Sequence, residues 1–264
     1  MFEELYEKLP DPDAYLSRIG MTRGQVRLDG EGLTALIRAQ LGTIPFDSLD
    51  VWGAGMLPNL GVRDLFDKIV TRRRGGYCFE LNSLFCAFLK SLGFDAYLVL
   101  VRLVEKRDFL PVTSHCAVIV ELGSAKFFAD VGYGGPAPYG AVEFDGLEHN
   151  GFYLTDEGEY MAMHRVDAQG AVRVMLFRDV RTDPVDLITP NFYVSQNPTS
   201  GFRLKPSLNL RTGDALYVVS DRTLKIKTHE GTSERELKAS SELLDIAPRY
   251  FGLAPGSFPI REFG

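Results

Sequence analysis

The chain has 264 residues, of which 45% are hydrophobic and 24% charged, a profile that excludes disorder, collagen and coiled coil as its main character. Its net charge of −6, from 29 Lys and Arg against 35 Asp and Glu, argues against a nucleic-acid partner, because sequence-independent phosphate binding depends on a basic face. No run approaches the roughly 18 apolar residues of a membrane span, and the opening MFEELYEKLPDP lacks a secretory layout, so a cytoplasmic protein with no membrane partner is expected.

The first ninety-odd residues read as helices. Asp11-Pro12 supplies a cap and a first-turn proline ahead of Tyr15, Leu16 and Ile19, with a stop near Gly20. Leu33, Leu36, Ile37 and Leu41 form a second stripe, and Val62, Leu65, Phe66, Ile69 and Val70 a third. A fourth helix starts at Cys78 after Gly75-Gly76 and runs to Gly93; apolar nearly all round, it is expected to be buried. From Phe94 the period becomes that of strands. Residues 96–104, 114–122 and 127–132 read as strands, the last two joined by Gly123-Ser124 as a hairpin, and further candidates lie at 152–154, 160–166 and 172–177. Residues 190–201 look loop-like, 215–227 read as another hairpin, and Ser240 is expected to cap a short last helix broken at Pro248. The division expected is a helical bundle (1–93), an antiparallel β-barrel (94–190) and a mixed C-terminal part (191–264). Ser233 and Glu236 match a capping box before a weak helix pattern and carry little weight.

Three cysteines, Cys78, Cys86 and Cys116, are too sparse and odd a set for a disulfide framework and are expected to be reduced. Cys78 stands where a glycine pair ends and a helix begins. A sulfur there faces unpaired N–H groups and the positive end of the helix dipole, which favours the nucleophilic thiolate, and the glycines leave backbone open for close approach of a substrate. Cys86 and Cys116 read as small core residues. Among four histidines, His149 and His229 fall in turn-like surroundings and His164 in a weak strand without an evident carboxylate partner. His115 opens a strand, and Asp130 lies across the hairpin. If Leu122 pairs with Ala125, Asp130 stands opposite Ala117 and is a diagonal neighbour of His115. A carboxylate inside the apolar run FFADV needs a partner. No Cys/His spacing suits a metal, and none is expected.

The segments RRGGYCFELN around Cys78, SHCAVIV around His115 and FADVGYG around Asp130 resemble the three catalytic motifs of the arylamine N-acetyltransferases, in that family's order and spacing. IPFDSLD at 44–50 and NFYVSQNPTSGF at 191–202 are similar to two further family stretches, so the resemblance spans nearly the whole chain. It implies an α+β fold: a helical bundle, a central antiparallel barrel and a C-terminal α/β lid, with a papain-like or transglutaminase-like catalytic core. It also implies that Cys78 is the acylated nucleophile, His115 its base and Asp130 the group orienting the imidazole. Arg74 resembles an arginine that pairs with an acid, here Asp47, as structural support. Gly132, Tyr133, Gly134, Gly135 and Ser200 fall near the family's acyl donor. Phe46, Phe79, Tyr133 and Phe202 resemble the lining of its acceptor pocket, though each reads equally well as an ordinary core aromatic. Tyr133 replaces a usual phenylalanine, Gln40 a common histidine, and Gln196-Asn197 a common Thr-His pair. Arg72 and Arg73 read as a solvated face or as contacts for coenzyme A phosphates.

The activity implied is transfer of an acetyl group from acetyl-CoA, through a cysteine thioester, to a small aromatic amine, hydrazine or arylhydroxylamine. Exchange of one thioester for another avoids a deep energetic trap, and backbone N–H groups at the start of the Cys78 helix are the natural oxyanion donors. Two alternatives use the same triad: an amide synthase closing a macrolactam from a carrier-protein thioester, and a transglutaminase-like cysteine hydrolase.

Overall fold

The computed structural model describes residues 2–264. Helix α1 (Pro12–Arg18) starts where the Asp11 carboxylate accepts from the N–H groups of Asp13 and Ala14 at 3.0 and 2.9 Å. After α2 (Gly30–Leu41), β1 (Phe46–Asp47), α3 (Leu49–Ala54) and α4 (Val62–Phe66), the chain enters α5 (Cys78–Leu92), which ends at a left-handed Gly93. Ten of its fifteen residues are buried, and its apolar surface packs against α1, α4 and the strands that follow. Burying side chains such as Leu81, Phe85 and Phe88 contributes about 1.5–3 kcal/mol each, which outweighs the weak helix propensity of Phe and Cys.

Strands β2 (Asp95–Leu103), β3 (His115–Leu122), β4 (Ala125–Ala129), β5 (Val142–Glu143), β6 (Phe152–Asp156), β7 (Met161–Asp167) and β8 (Gly170–Phe177) form a nearly closed antiparallel barrel in the order β5-β4-β3-β2-β8-β7-β6. Alternate residues of β2, β3 and β8, such as Val99, Val101, Ala117, Ile119 and Phe177, fill its interior. The β3–β4 hairpin has the expected register, with Leu122 opposite Ala125, but β4 starts at Ala125 and stops at Ala129, leaving Asp130 just beyond its end.

After the barrel come α6 (Ile188–Gln196), α7 (Gly201–Leu204), β9 (Ser207–Arg211), β10 (Ala215–Ser220), β11 (Thr223–Thr228), β12 (Gly231–Glu236) and α8 (Leu243–Phe251). Four expectations are corrected here. Most of the stretch read as loop, 190–201, belongs to α6; Pro190 lies in its first turn, where a missing N–H costs no intrahelical bond. Helix α8 continues through Pro248, because its buried face of Leu243, Ile246, Ala247 and Phe251 offsets the lost hydrogen bond. Ser240 does not cap it: the residue opens a short 3₁₀ turn and its hydroxyl donates to Glu262, while the Glu242 carboxylate accepts from the Lys238 and Ala239 N–H groups. The Ser233 to Glu236 segment is strand β12, not a helix start. Strand β1 pairs with β9, so Phe46 and Asp47 join the C-terminal sheet to the beginning of α5.

Candidate active site

The glycine pair before Cys78 brings three elements together. The Asp47 N–H donates to Gly76 O at 2.8 Å, and a Cβ on Gly75 would stand 2.2 Å from Pro45 O, so only glycine lets β1 lie against the entrance to α5. Behind that entrance is a buried ionic network. Arg74 pairs with Asp47 at 2.7 Å and Asp50 at 2.9 Å, and Lys68 pairs with Asp50 at 2.7 Å and Glu80 at 2.6 Å. The second Glu80 oxygen accepts from the Tyr77 N–H at 3.0 Å, tying the network to the residue before Cys78. Burial opposes the charge on Lys68 and Arg74, but the surrounding carboxylates hold both above their ordinary values. The N–H groups of Cys78 and Phe79 meet no acceptor among the described residues.

Cys78 is 3% exposed, its thiol lies 3.9 Å from the carbonyl oxygen of Ser114, the residue before His115, and its sulfur acts on the His115 ring as a neighbouring charge and hydrogen-bonding group. On the other side of that ring, Nε2 meets Asp130 Oδ2 at 2.7 Å, which leaves Nδ1 for the sulfur. Oδ1 of Asp130 accepts from Asn82 Nδ2 at 2.9 Å and from the Gly132 N–H at 2.9 Å. Asn82 also donates to Cys116 O at 2.7 Å and accepts from the Val131 N–H at 3.0 Å. Sequence reasoning missed Asn82; its signal was a lone amide one turn after Cys78 on a mostly apolar helix. Burial resists the charge on His115, but the Asp130 carboxylate and the Cys78 sulfur push its pKa up to about 10. Burial likewise opposes ionised Asp130, yet His115, Asn82 and the Gly132 N–H hold it below the usual carboxylate value.

The structure brings Cys78, His115 and Asp130 together in one buried cluster and places the other candidates around it. The Tyr133 ring packs edge-on to His115 with centroids 5.6 Å apart. Tyr133, Gly135 and Phe46 line a cavity of about 340 Å³ whose wall does not include the Cys78 sulfur, so Tyr133 stands between that space and the imidazole. Gly132 and Gly134 lie against Cys78 and the Phe46 ring; a Cβ on either would approach within 2.8 and 2.9 Å. The Phe202 ring stands 5.6 Å from that of Phe46, whereas Phe79 is fully buried against Tyr77. The Ser200 hydroxyl donates to Val194 O at 2.5 Å, within the turn between α6 and α7. Gln40 is buried and accepts from the Tyr15 hydroxyl. Arg72 and Arg73 are exposed.

The remaining histidines are elsewhere: His164 meets the Thr155 hydroxyl at 3.0 Å, and His229 is exposed. His149 bonds Asp145 at 2.9 Å, and with Glu143 these two bring possible ligand atoms within 4.8 Å of one another, a convergence of three metal-binding residue types that sequence spacing did not reveal.

A family model described as N-acetyltransferase matches residues 29–256. The arylamine N-acetyltransferase of Mycolicibacterium smegmatis is 30% identical over 265 residues, covering 96% of this chain and 95% of that one, and that of Escherichia coli strain K12 is 30% identical with 90% and 87% covered. This chain belongs to the arylamine N-acetyltransferase family. Solved members of the family share its fold: the M. smegmatis structure superposes with a TM-score of 0.83 at 28% identity, covering 93% of each chain. The Mycobacterium marinum arylamine N-acetyltransferase in complex with CoA gives 0.82 at 26% identity, with 92% of this chain and 93% of that one covered. Among the described residues, no helix is long and apolar enough to cross a membrane.

Proposed function

We propose that this acyltransferase moves an acetyl group from acetyl-CoA through a thioester on Cys78 to an arylamine, hydrazine or arylhydroxylamine. The observation that carries the reading is the buried cluster of the Cys78 sulfur, the His115 ring and Asp130. Cys78 attacks as thiolate opposite the His115 imidazolium; the new S–C bond forms as the bond to the CoA sulfur breaks, and the imidazolium proton accompanies the departing thiol. Neutral imidazole then accepts the proton of the attacking amine, whose nitrogen takes the acetyl group and returns the Cys78 sulfur. The free N–H groups of Cys78 and Phe79 face the carbonyl oxygen as it gains charge. Aromatic amines and hydrazines suit this step because they keep their lone pair at neutral pH, whereas a lysine-like amine is mostly protonated.

In this reading the glycine-rich loop from Gly132 to Gly135, with Ser200, sits beside the donor. Phe46, Phe79, Tyr133 and Phe202 shape the acceptor side, and no metal takes part. The nucleophile on a helix start, with its base opening β3 and its acid just past the end of β4, supports a papain-like or transglutaminase-like core, and we assign the three parts to 1–93, 94–190 and 191–264, working in the cytoplasm. Support for the donor comes from the CoA complex of the M. marinum relative. The test is steady-state kinetics with acetyl-CoA and isoniazid or an aniline as varied substrates. Parallel double-reciprocal lines are expected; intersecting lines, or acylation only by a carrier-protein thioester, would overturn the proposal.

A further inference from the structure

A second cavity, of about 700 Å³, opens on a different face of α5, and none of Cys78, His115 and Asp130 lines it. Ser83, Ala87 and Lys90 follow one another along its wall at helical spacing, and the N-terminal segment around Leu9 and the connection around Leu187 close it. The wall is not a satisfied surface. The Ser83 hydroxyl oxygen is shielded from solvent and has no hydrogen-bond partner, an unmet group of the kind that a ligand or water normally completes. The charges around the cavity are unbalanced as well. Glu7 is paired with Arg63 at 2.8 Å, and Arg181 with Asp95 and Glu121 at 3.0 and 3.2 Å. Lys8 and Lys90 are exposed and meet no carboxylate among the described residues, against one unpaired acid, Asp183. Lys90 stands two helical turns after Ser83 on the same wall, and helical side chains lean toward the helix N-terminus, the direction in which Ser83 lies.

We infer that this cavity binds an apolar monocarboxylate, its hydrocarbon body against the aliphatic wall around Leu9, Leu60, Leu98 and Leu187 and its carboxylate on the Lys90 ammonium, with the Ser83 hydroxyl turning out of its shielded position to donate to it. Its volume is in the range of small-molecule sites, and its mix of aliphatic wall with a few polar groups is what such ligands need. Lys8 adds attraction at the rim. The site is separate from acetyl transfer, so the two ideas stand or fall independently.

Calorimetric titration of the full chain with sodium decanoate and with sodium 2-naphthoate tests this, with decylammonium as the opposite-charge control. One-to-one binding of at least one carboxylate is expected, undiminished by saturating CoA and by Cys78→Ala. Tighter decanoate identifies an alkyl acid and tighter 2-naphthoate an aromatic one. Lys90→Glu, at an exposed position, is expected to weaken binding about tenfold or more without changing the melting temperature, and Ala87→Phe to abolish it by filling the space. Absence of binding by both carboxylates, equal binding of decylammonium, unchanged affinity in Lys90→Glu, or displacement by CoA would each overturn the inference.

Discussion

Replacing Asp130 by asparagine separates the charge of the carboxylate from its shape. In the native protein Oδ1 takes two hydrogen bonds, from Asn82 Nδ2 and the Gly132 N–H, both at 2.9 Å, while Oδ2 faces His115 Nε2 at 2.7 Å. The two donors fix the amide orientation in Asp130→Asn: its oxygen must stay at the Oδ1 position, and its NH2 must point at Nε2. A ring that accepts at Nε2 carries its proton on Nδ1, so the nitrogen facing Cys78 becomes a donor where proton abstraction needs an acceptor. With the carboxylate charge gone, burial governs the ring and disfavours imidazolium. The acylation rate should fall by about 10⁴-fold, the scale on which inverting an imidazole tautomer disables an activated nucleophile. Folding should lose only about 1.5–3 kcal/mol, the contribution of a charge-assisted hydrogen bond, because packing is unchanged. Quenched-flow mass spectrometry of the acetyl-CoA reaction reads the rate, and ¹⁵N NMR of the imidazole reads the tautomer. Acylation within about tenfold of wild type, with the proton on Nδ1, would refute the reasoning.

Stability should follow the two shifted groups. The His115 value is raised from 6.5 to about 10, so its contribution is complete below 6.5 and is lost as pH rises through 10. Asp130 is held below 3.8, so its contribution is present above that value and is lost as pH falls through the folded one. Urea midpoints for wild type minus His115→Gln should therefore decline from pH 6.5 to 10, and a rise over that interval contradicts the assignment. Asp47→Ala leaves the buried Arg74 guanidinium with Asp50 as its one carboxylate; a loss of about 3–5 kcal/mol is expected in denaturant unfolding, and a loss below about 1 kcal/mol would show that the pair is not a support. Gly132→Ala places a Cβ 2.8 Å from both Asn82 Nδ2 and the Cys78 Cα, so it should cost about 1–3 kcal/mol and slow acylation; wild-type values for both would show that the loop yields freely.

Much of this site was legible in the sequence because its signals are local. Gly75-Gly76 and Gly93 bracket the Cys78 helix, and the short Gly123-Ser124 turn fixes the pairing of Leu122 with Ala125, which brings His115 near Asp130. What stayed hidden depends on tertiary contact. Lys68, Asp50 and Glu80 are unremarkable charges until packing buries them beside Arg74 and Asp47. The two-residue strand β1 exists through its pairing with β9, more than 150 residues away in sequence, a contact that no local pattern encodes. The prolines of α6 and α8 misled for a physical reason: proline predicts a break from local sterics, but a first-turn position needs no N–H and a well-buried helix face outweighs one lost bond.

Intact-mass and peptide mapping of the protein after brief exposure to acetyl-CoA tests the central claim most directly. A single acetyl group on Cys78, absent from Cys86 and Cys116 and discharged when a hydrazine is added, is the result expected. An unmodified Cys78 under conditions of full transferase activity, or undiminished transfer by Cys78→Ala, would contradict the account.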